Sequence, residues 1–334
     1  HITCPDLSRN DRPMNSPPRV TDPLGWGYSL ANVIELLSAC LEAVPTRRVL
    51  EVGAYEGELT RDLLTWADTA GARVATVDPL PPERLLELVA ERPDLELVED
   101  TGVAALAGLD ELPDSIIIDG DHNYFTLTGE LEAIAGRAGD APLPLLMFHD
   151  AGWPHARRDT YYAPERVPED QRQPLAHNVG LIPGDPGVSE KEGLPYVWAA
   201  AKEGGPKNGV LTALEDFVNT RPELRLAVVP AFFGFAVIYD TRAEWASRVA
   251  DIVSPWDDNP ILHRLESNRV DHLVRSHGLA QEVQELREKA ARQEALLRDM
   301  LESSAFAMAE RVSRVKQRGE PIFSRRRISE VLDS

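Results

Sequence analysis

The sequence predicts an α/β fold in which a mainly parallel sheet is covered by helices on both faces and closed by one antiparallel strand. Three observations predict it. Between residues 48 and 150, short apolar runs alternate with segments whose apolar residues recur at helical spacing, the pattern of strands joined by right-handed crossovers. The run SIIID at Ser115–Asp119 has no polar alternation, so it belongs to a strand covered on both faces. Further on, LRLAVVP and GFAVIYD are joined only by Ala231, Phe232 and Phe233, and so short a connection forces antiparallel pairing.

The elements follow in order. Residues 1–27 read as an irregular lead-in: His1–Pro13, ahead of Met14, reads as a remnant of expression outside the fold, and 14–27 are rich in proline and glycine. Tyr28–Val44 has helical spacing. RVLEVG (48–53) is a strand, Glu58–Trp66 a helix, RVATVD (73–78) a strand, Glu83–Arg92 a helix and LELV (95–98) a short strand. A short helix near Val103–Leu109, the strand SIIID, a helix at Phe125–Ala138 and the strand LPLLMFHD (143–150) complete the alternation. Residues 151–207 then break the pattern with prolines, glycines and aromatics. So long a segment without periodicity is expected to be a functional insertion, here a substrate lid. Val210–Asn219 is a helix, and the antiparallel pair 224–230 and 234–240 ends the domain, giving boundaries at 28 and 240.

Residues 241–334 form a helical extension. Leu279, Val283, Leu286, Ala290, Gln293, Leu297 and Met300 alternate spacings of four and three, a seam of about three heptads with a polar break at Gln293. It predicts either self-association into a homo-oligomer or an amphipathic helix docked on its own domain. The tail concentrates Arg314, Lys316, Arg318, Arg325, Arg326 and Arg327, a run that reads first as a solvated face.

A formal net charge of −20 over 334 residues argues against nucleic acid or an anionic membrane as partner, because either needs a basic footprint. A small-molecule or glycan acceptor is expected instead. Cys4 and Cys40 are too few for a disulfide framework or a zinc cluster and fit a reducing, cytoplasmic setting. No apolar stretch of about 20 residues predicts a membrane span.

The candidate site residues lie where predicted strands end. Glu51, Gly53 and Gly57 sit in EVGAYEG, where glycines let a ligand approach the backbone beside a helix N-terminus. The spacing is not G-x-G-x-x-G and contains no P-loop lysine, which disfavours nicotinamide and nucleoside triphosphate cofactors. Asp78 ends the second strand, where a carboxylate can accept both hydroxyls of a ribose. Asp100 and Thr101 follow the third, at a position suited to an adenine edge. Asp119 and the pair His149–Asp150 end adjacent strands, and Asp121 and His122 follow closely. Such groups serve as a general base or hold a hard divalent cation.

Taken together, E-V-G-x-x-x-G, Asp78, the run IDGDH and the strand ending in HD resemble the class I S-adenosylmethionine-dependent methyltransferases, with a Rossmann-like sheet and an antiparallel last strand. The resemblance spans residues 28–240 in element order and is carried by about four short motifs. It implies that Glu51 and Gly53 lie near the methionine part of S-adenosylmethionine, Asp78 at its ribose and Asp100 near its adenine. The spacing Asp119-x-x-His122 is similar to that of metal-dependent O-methyltransferases acting on macrolide sugars, which implies Asp119 as a magnesium ligand and His122 as the catalytic base. In that pattern His149 and Asp150 supply the second ligand pair, with His149 in place of a carboxylate. The departure admits Mn²⁺ beside Mg²⁺, or His149 as a support to the ligands, and Asp121 stands as a spare ligand.

Within the insertion, Trp153, His155, Tyr161 and Tyr162 are candidate substrate contacts, since aromatic faces and hydrogen-bonding groups suit a polyhydroxylated ring. The function expected is O-methyl transfer to a hydroxyl of a sugar, an oligosaccharide or polysaccharide, or a glycosylated natural product. The alternatives are a small phenolic or catechol acceptor, a relative recruited to hydroxylation, and a non-catalytic assembly protein whose cofactor domain is vestigial.

Overall fold

The computed structural model describes residues 28–317 and 324–332; the lead-in 1–27 and Arg318 of the basic tail lie outside them. The chain divides into two compact units, one ending at Val274 and one beginning at Arg275. In the first, α1 (Ile34–Ala43) precedes β1 (Arg48–Val52), α2 (Glu58–Ala70), β2 (Arg73–Val77), α3 (Glu83–Glu91), β3 (Glu96–Val98) and α4 (Gly102–Gly108). Then come β4 (Ser115–Ile118), α5 (Tyr124–Ala138) and β5 (Leu145–Phe148). The insertion carries β6 (Leu175–Leu181) and β7 (Leu194–Ala200), after which α6 (Val210–Asn219), β8 (Leu224–Val229), β9 (Phe235–Asp240) and α7 (Ala246–Val253) return to the main body.

Seven strands form one sheet in the order β3-β2-β1-β4-β5-β9-β8. Pairing is parallel from β3 through β5, and β9 runs antiparallel to both its neighbours. The isoleucine run explains why the sheet sits at the centre. Ile117 packs on one face with Leu37, Leu63 and Val249, while Ile116 and Ile118 pack on the other with Leu131, Ile134 and Phe217. All three are buried, as period-two geometry requires of a strand covered on both sides.

The structure differs from the sequence reading in two places. The insertion is not irregular: β6 and β7 pair antiparallel from Leu175↔Ala200 to Leu181↔Leu194. The first unit also runs past residue 240, because Val249 and Val253 of α7 and Val270 and Leu273 of the following helix α8 (Pro260–Glu302) are buried.

The second unit holds the rest of α8, α9 (Ser304–Gln317) and α10 (Arg325–Leu332). Leu279, Val283 and Leu286 on its seam are exposed. Parts of the basic tail pair within their own helices, Arg314 with Glu310 at 2.7 Å and Arg326 with Glu330 at 3.6 Å. Among the described residues no helix is long and apolar enough to cross a membrane.

Candidate functional site

Two groups of candidates lie at the carboxyl edge of the sheet. At the tips of β1 and β2 the structure works through backbone geometry. Gly53 has φ +89°, and a Cβ there would drive into the Asp119 carbonyl, so only glycine lets the β1 and β4 tips approach so closely. Gly57, at φ +75°, begins α2. The Asp78 carboxylate accepts from Tyr55 N at 3.1 Å and Leu80 N at 2.9 Å, which fixes it between the two turns. Asp100 accepts from Thr101 N at 2.7 Å, and Thr101 caps α4 by accepting from Ala104 N at 3.3 Å.

Glu51 is placed differently from the other candidates at this end. It is buried, and its carboxyl accepts from Thr60 Oγ1 at 2.6 Å and Thr76 Oγ1 at 3.2 Å. Burial raises its pKa to about 8 against those two hydrogen bonds, so it is a neutral acid near pH 7. Its side chain ties α2 to β2.

At the tips of β4 and β5 the structure works through side chains. His122 Nδ1 lies 2.9 Å from Asp150 Oδ2, and the His122 backbone carbonyl accepts from Thr160 N at 3.0 Å. Asp150 is buried at φ +58°. His149 Nδ1 lies 3.1 Å from Asp119 Oδ1 and 3.8 Å from Asp150 Oδ2, while Nε2 donates to the Phe232 carbonyl at 2.8 Å. That carbonyl is itself positioned, since Glu266 accepts from Phe232 N and Phe233 N at 3.0 and 2.8 Å and pairs with Arg269 at 2.6 Å.

The charges at this end balance one another. Burial disfavours the charged form of each histidine, yet Asp150 and Asp119 outweigh it at His149 and lift its pKa to about 10. At His122 burial is likewise outweighed, chiefly by Asp150, so its pKa is raised. Burial works to raise Asp150, but His149 foremost among the surrounding histidines holds its carboxyl far below the usual range. His155 goes the other way: burial drops its pKa to about 3, leaving a neutral ring.

Of the insertion candidates, His155 and Tyr162 reach the group. The His155 ring lies tilted against His122, centroids 4.5 Å apart, with Nδ1 3.0 Å from Thr160 Oγ1 and Nε2 3.9 Å from Asp150. Tyr162 is exposed, its ring 5.7 Å from His122. Tyr161 is turned inward: it is buried, donates to Asp159 at 2.9 Å and accepts from Gln173 N at 3.2 Å. Trp153 packs against Val179, Leu181 and Ala199 of the insertion on one side and against a cluster of Leu194, Phe233, Val270 and Leu273 on the other. Asp121 is also committed, accepting from Asn123 Nδ2 at 2.6 Å and Thr126 Oγ1 at 3.2 Å at the start of α5. Tyr196 of β7, which carries no motif, puts its hydroxyl 3.1 Å from His155 Nε2.

Two groups of donors here could hold a divalent cation. Ligand atoms of Asp119, His149 and Asp150 lie within 4.8 Å of one another, and His122, Asp150 and His155 form a second such group. In the first group, the Phe232 carbonyl holds the Nε2 proton of His149, so Nδ1 faces both carboxylates and is the nitrogen that would give up its proton to a cation. This is the way a ligating imidazole is oriented, so the residues fit.

No family model and no curated protein matches the chain. Solved structures do. An S-adenosylhomocysteine-bound methyltransferase of Podospora anserina, PaMTH1, is 13% identical over 66% of this chain and 88% of its own, with a TM-score of 0.39. The O-methyltransferase NcsB1 of neocarzinostatin biosynthesis is 13% identical over 66% of this chain and 58% of its own, at 0.37. The riboflavin-derivative dimethyltransferase RosA of Streptomyces davawensis is 15% identical over 62% and 53%, at 0.37. The strand order decides the assignment. This is a class I methyltransferase fold, with its seven strands ordered 3-2-1-4-5-9-8 and β9 reversed.

Proposed function

We propose that the chain is an S-adenosylmethionine-dependent O-methyltransferase that acts on a hydroxyl of a sugar or glycosylated natural product. The observation that carries this reading is the dyad of His122 Nδ1 and Asp150 Oδ2, 2.9 Å apart at the strand tips of a class I methyltransferase sheet.

Bound S-adenosylmethionine supplies a methyl group on a sulfonium, whose bond to sulfur breaks as the new bond to the acceptor oxygen forms. Asp78 would accept the ribose hydroxyls, Gly53 would let the cofactor approach the backbone, and Asp100 and Thr101 would border the adenine. An alcohol is a poor nucleophile until its proton leaves. His122 Nδ1–H donates to Asp150, which presents Nε2 as the acceptor for that proton and stabilises the imidazolium that results. A cation held by Asp119, His149 and Asp150 would act as a Lewis acid for the acceptor oxygen, with one imidazole and two carboxylates suiting Mn²⁺ as well as Mg²⁺. The insertion, with exposed Tyr162 beside His122, forms the acceptor side of the cleft.

The test is calorimetric. Metal-stripped protein is titrated with S-adenosylhomocysteine, then with sugar and phenolic acceptors in the presence and absence of Mg²⁺ or Mn²⁺. Cofactor binding followed by acceptor heat from sugars that requires metal is the expected result. Acceptor heat from phenols alone would move the acceptor class to phenols, and absence of cofactor binding would leave the chain an assembly protein.

A further inference from the structure

We propose that the exposed seam of the second unit pairs with a second copy of this chain as a parallel, in-register, two-stranded coiled coil. Three features of α8 choose that arrangement. With Val283 at heptad position a, Leu279 and Leu286 fall at d, Ala290 at a and Gln293 at d. Leu279 is 62% exposed, Val283 45% and Leu286 56%, so none of the described residues covers the seam there. A β-branched residue at a with leucine at d favours two parallel strands.

Charge supplies the second feature. Position g holds Glu282 and Lys289, and the following e positions hold Arg287 and Glu294. In a parallel pair each g residue meets the next e residue of the other copy, so glutamate faces arginine and lysine faces glutamate, twice over by symmetry. Reversing one copy with the same core layers overlapped sets Lys289 against its own counterpart and Arg287 against its own, two like-charge contacts. The third feature is Gln293. In the parallel register its amide meets the same amide of the other copy and both can hydrogen-bond. In the reversed one it faces Val283 and is left unpaired.

The test uses the full chain in a Cys4→Ser background, since Cys40 is buried. Light scattering should report a dimer, and Leu286→Cys and Gln293→Cys should each oxidise to a covalent dimer, because a d residue meets itself only in the parallel register. Glu282→Arg or Arg287→Glu alone should weaken the dimer roughly tenfold, and the two together should restore it. A monomer at every accessible concentration overturns the proposal. A dimer in which neither cysteine cross-links, or in which the double reversal fails to restore association, overturns the parallel register. None of these readouts depends on methyl transfer.

Discussion

The two ends of the sheet edge solve different problems by different means. At the β1 and β2 tips the arrangement is conformational: Gly53 and Gly57 at positive φ, and a carboxylate at Asp78 held by main-chain N–H groups. At the β4 and β5 tips it is buried charge, with three imidazoles arranged around Asp150. The first arrangement tolerates almost no added volume. The second is set by the balance of its buried charges.

Substitutions that exchange these vulnerabilities test the comparison. Gly53→Val carries the largest expected effect. The left-handed backbone alone costs a branched side chain about 1–3 kcal/mol, and the collision with the Asp119 carbonyl adds to it. Both S-adenosylhomocysteine binding and the thermal midpoint should fall, and a variant that melts and binds like the parent would show that the tips need not approach so closely. Next comes His122→Ala, which should lower kcat by about 10² to 10⁴ while cofactor affinity stays near that of the parent. Turnover within a few-fold of the parent would remove His122 as the base.

Asp150→Asn separates charge from shape, because asparagine keeps the left-handed conformation at φ +58°. The carboxylate stabilises the His122 imidazolium, and a base works only once deprotonated. The rate of the parent should therefore rise with pH through a value above the ordinary 6.5, and the limb should move to lower pH in the variant. An unmoved limb would assign it to another group.

The smallest effect is on stability. Glu130 is buried beside Gly102, one of its carboxyl oxygens lacks a hydrogen-bond partner, and burial raises its pKa from 4.5 to about 8. The folded chain thus keeps a proton that the unfolded chain releases. The stability this group contributes is complete below pH 4.5 and is lost as pH rises through about 8. Glu130→Gln should flatten the fall in melting temperature over that window, and parallel curves would mean that the carboxyl is solvated.

Much of the sheet was legible because buried parallel strands advertise themselves as unbroken apolar runs, and SIIID and LLMF did so. The insertion's strands were not. LAHNVGL places His177 and Asn178 mid-strand, and LPYVWAA contains Pro195, which a two-stranded ribbon accommodates but a central strand does not. Asp119, His122, His149 and Asp150 were readable as polar residues at the ends of apolar runs. Tyr161 and Tyr162 were not separable by composition, yet neighbouring residues of an extended segment point opposite ways, and one is buried while the other is exposed. Tyr196 and the Phe232 carbonyl reach the site through contacts distant in sequence, and a backbone carbonyl leaves no mark on residue type.

The reversed position of β9 bears on how the chain is made. LLMF of β5 finds its second partner only when residues 235–240 are available, because Met147 pairs with Val237. During synthesis the growing sheet therefore ends in an apolar open edge while the whole insertion is translated, and such an edge recruits strands from other molecules. Chains interrupted before β9 should accumulate as aggregates rather than as soluble half-domains, and expression yield should depend on chaperone supply during that interval.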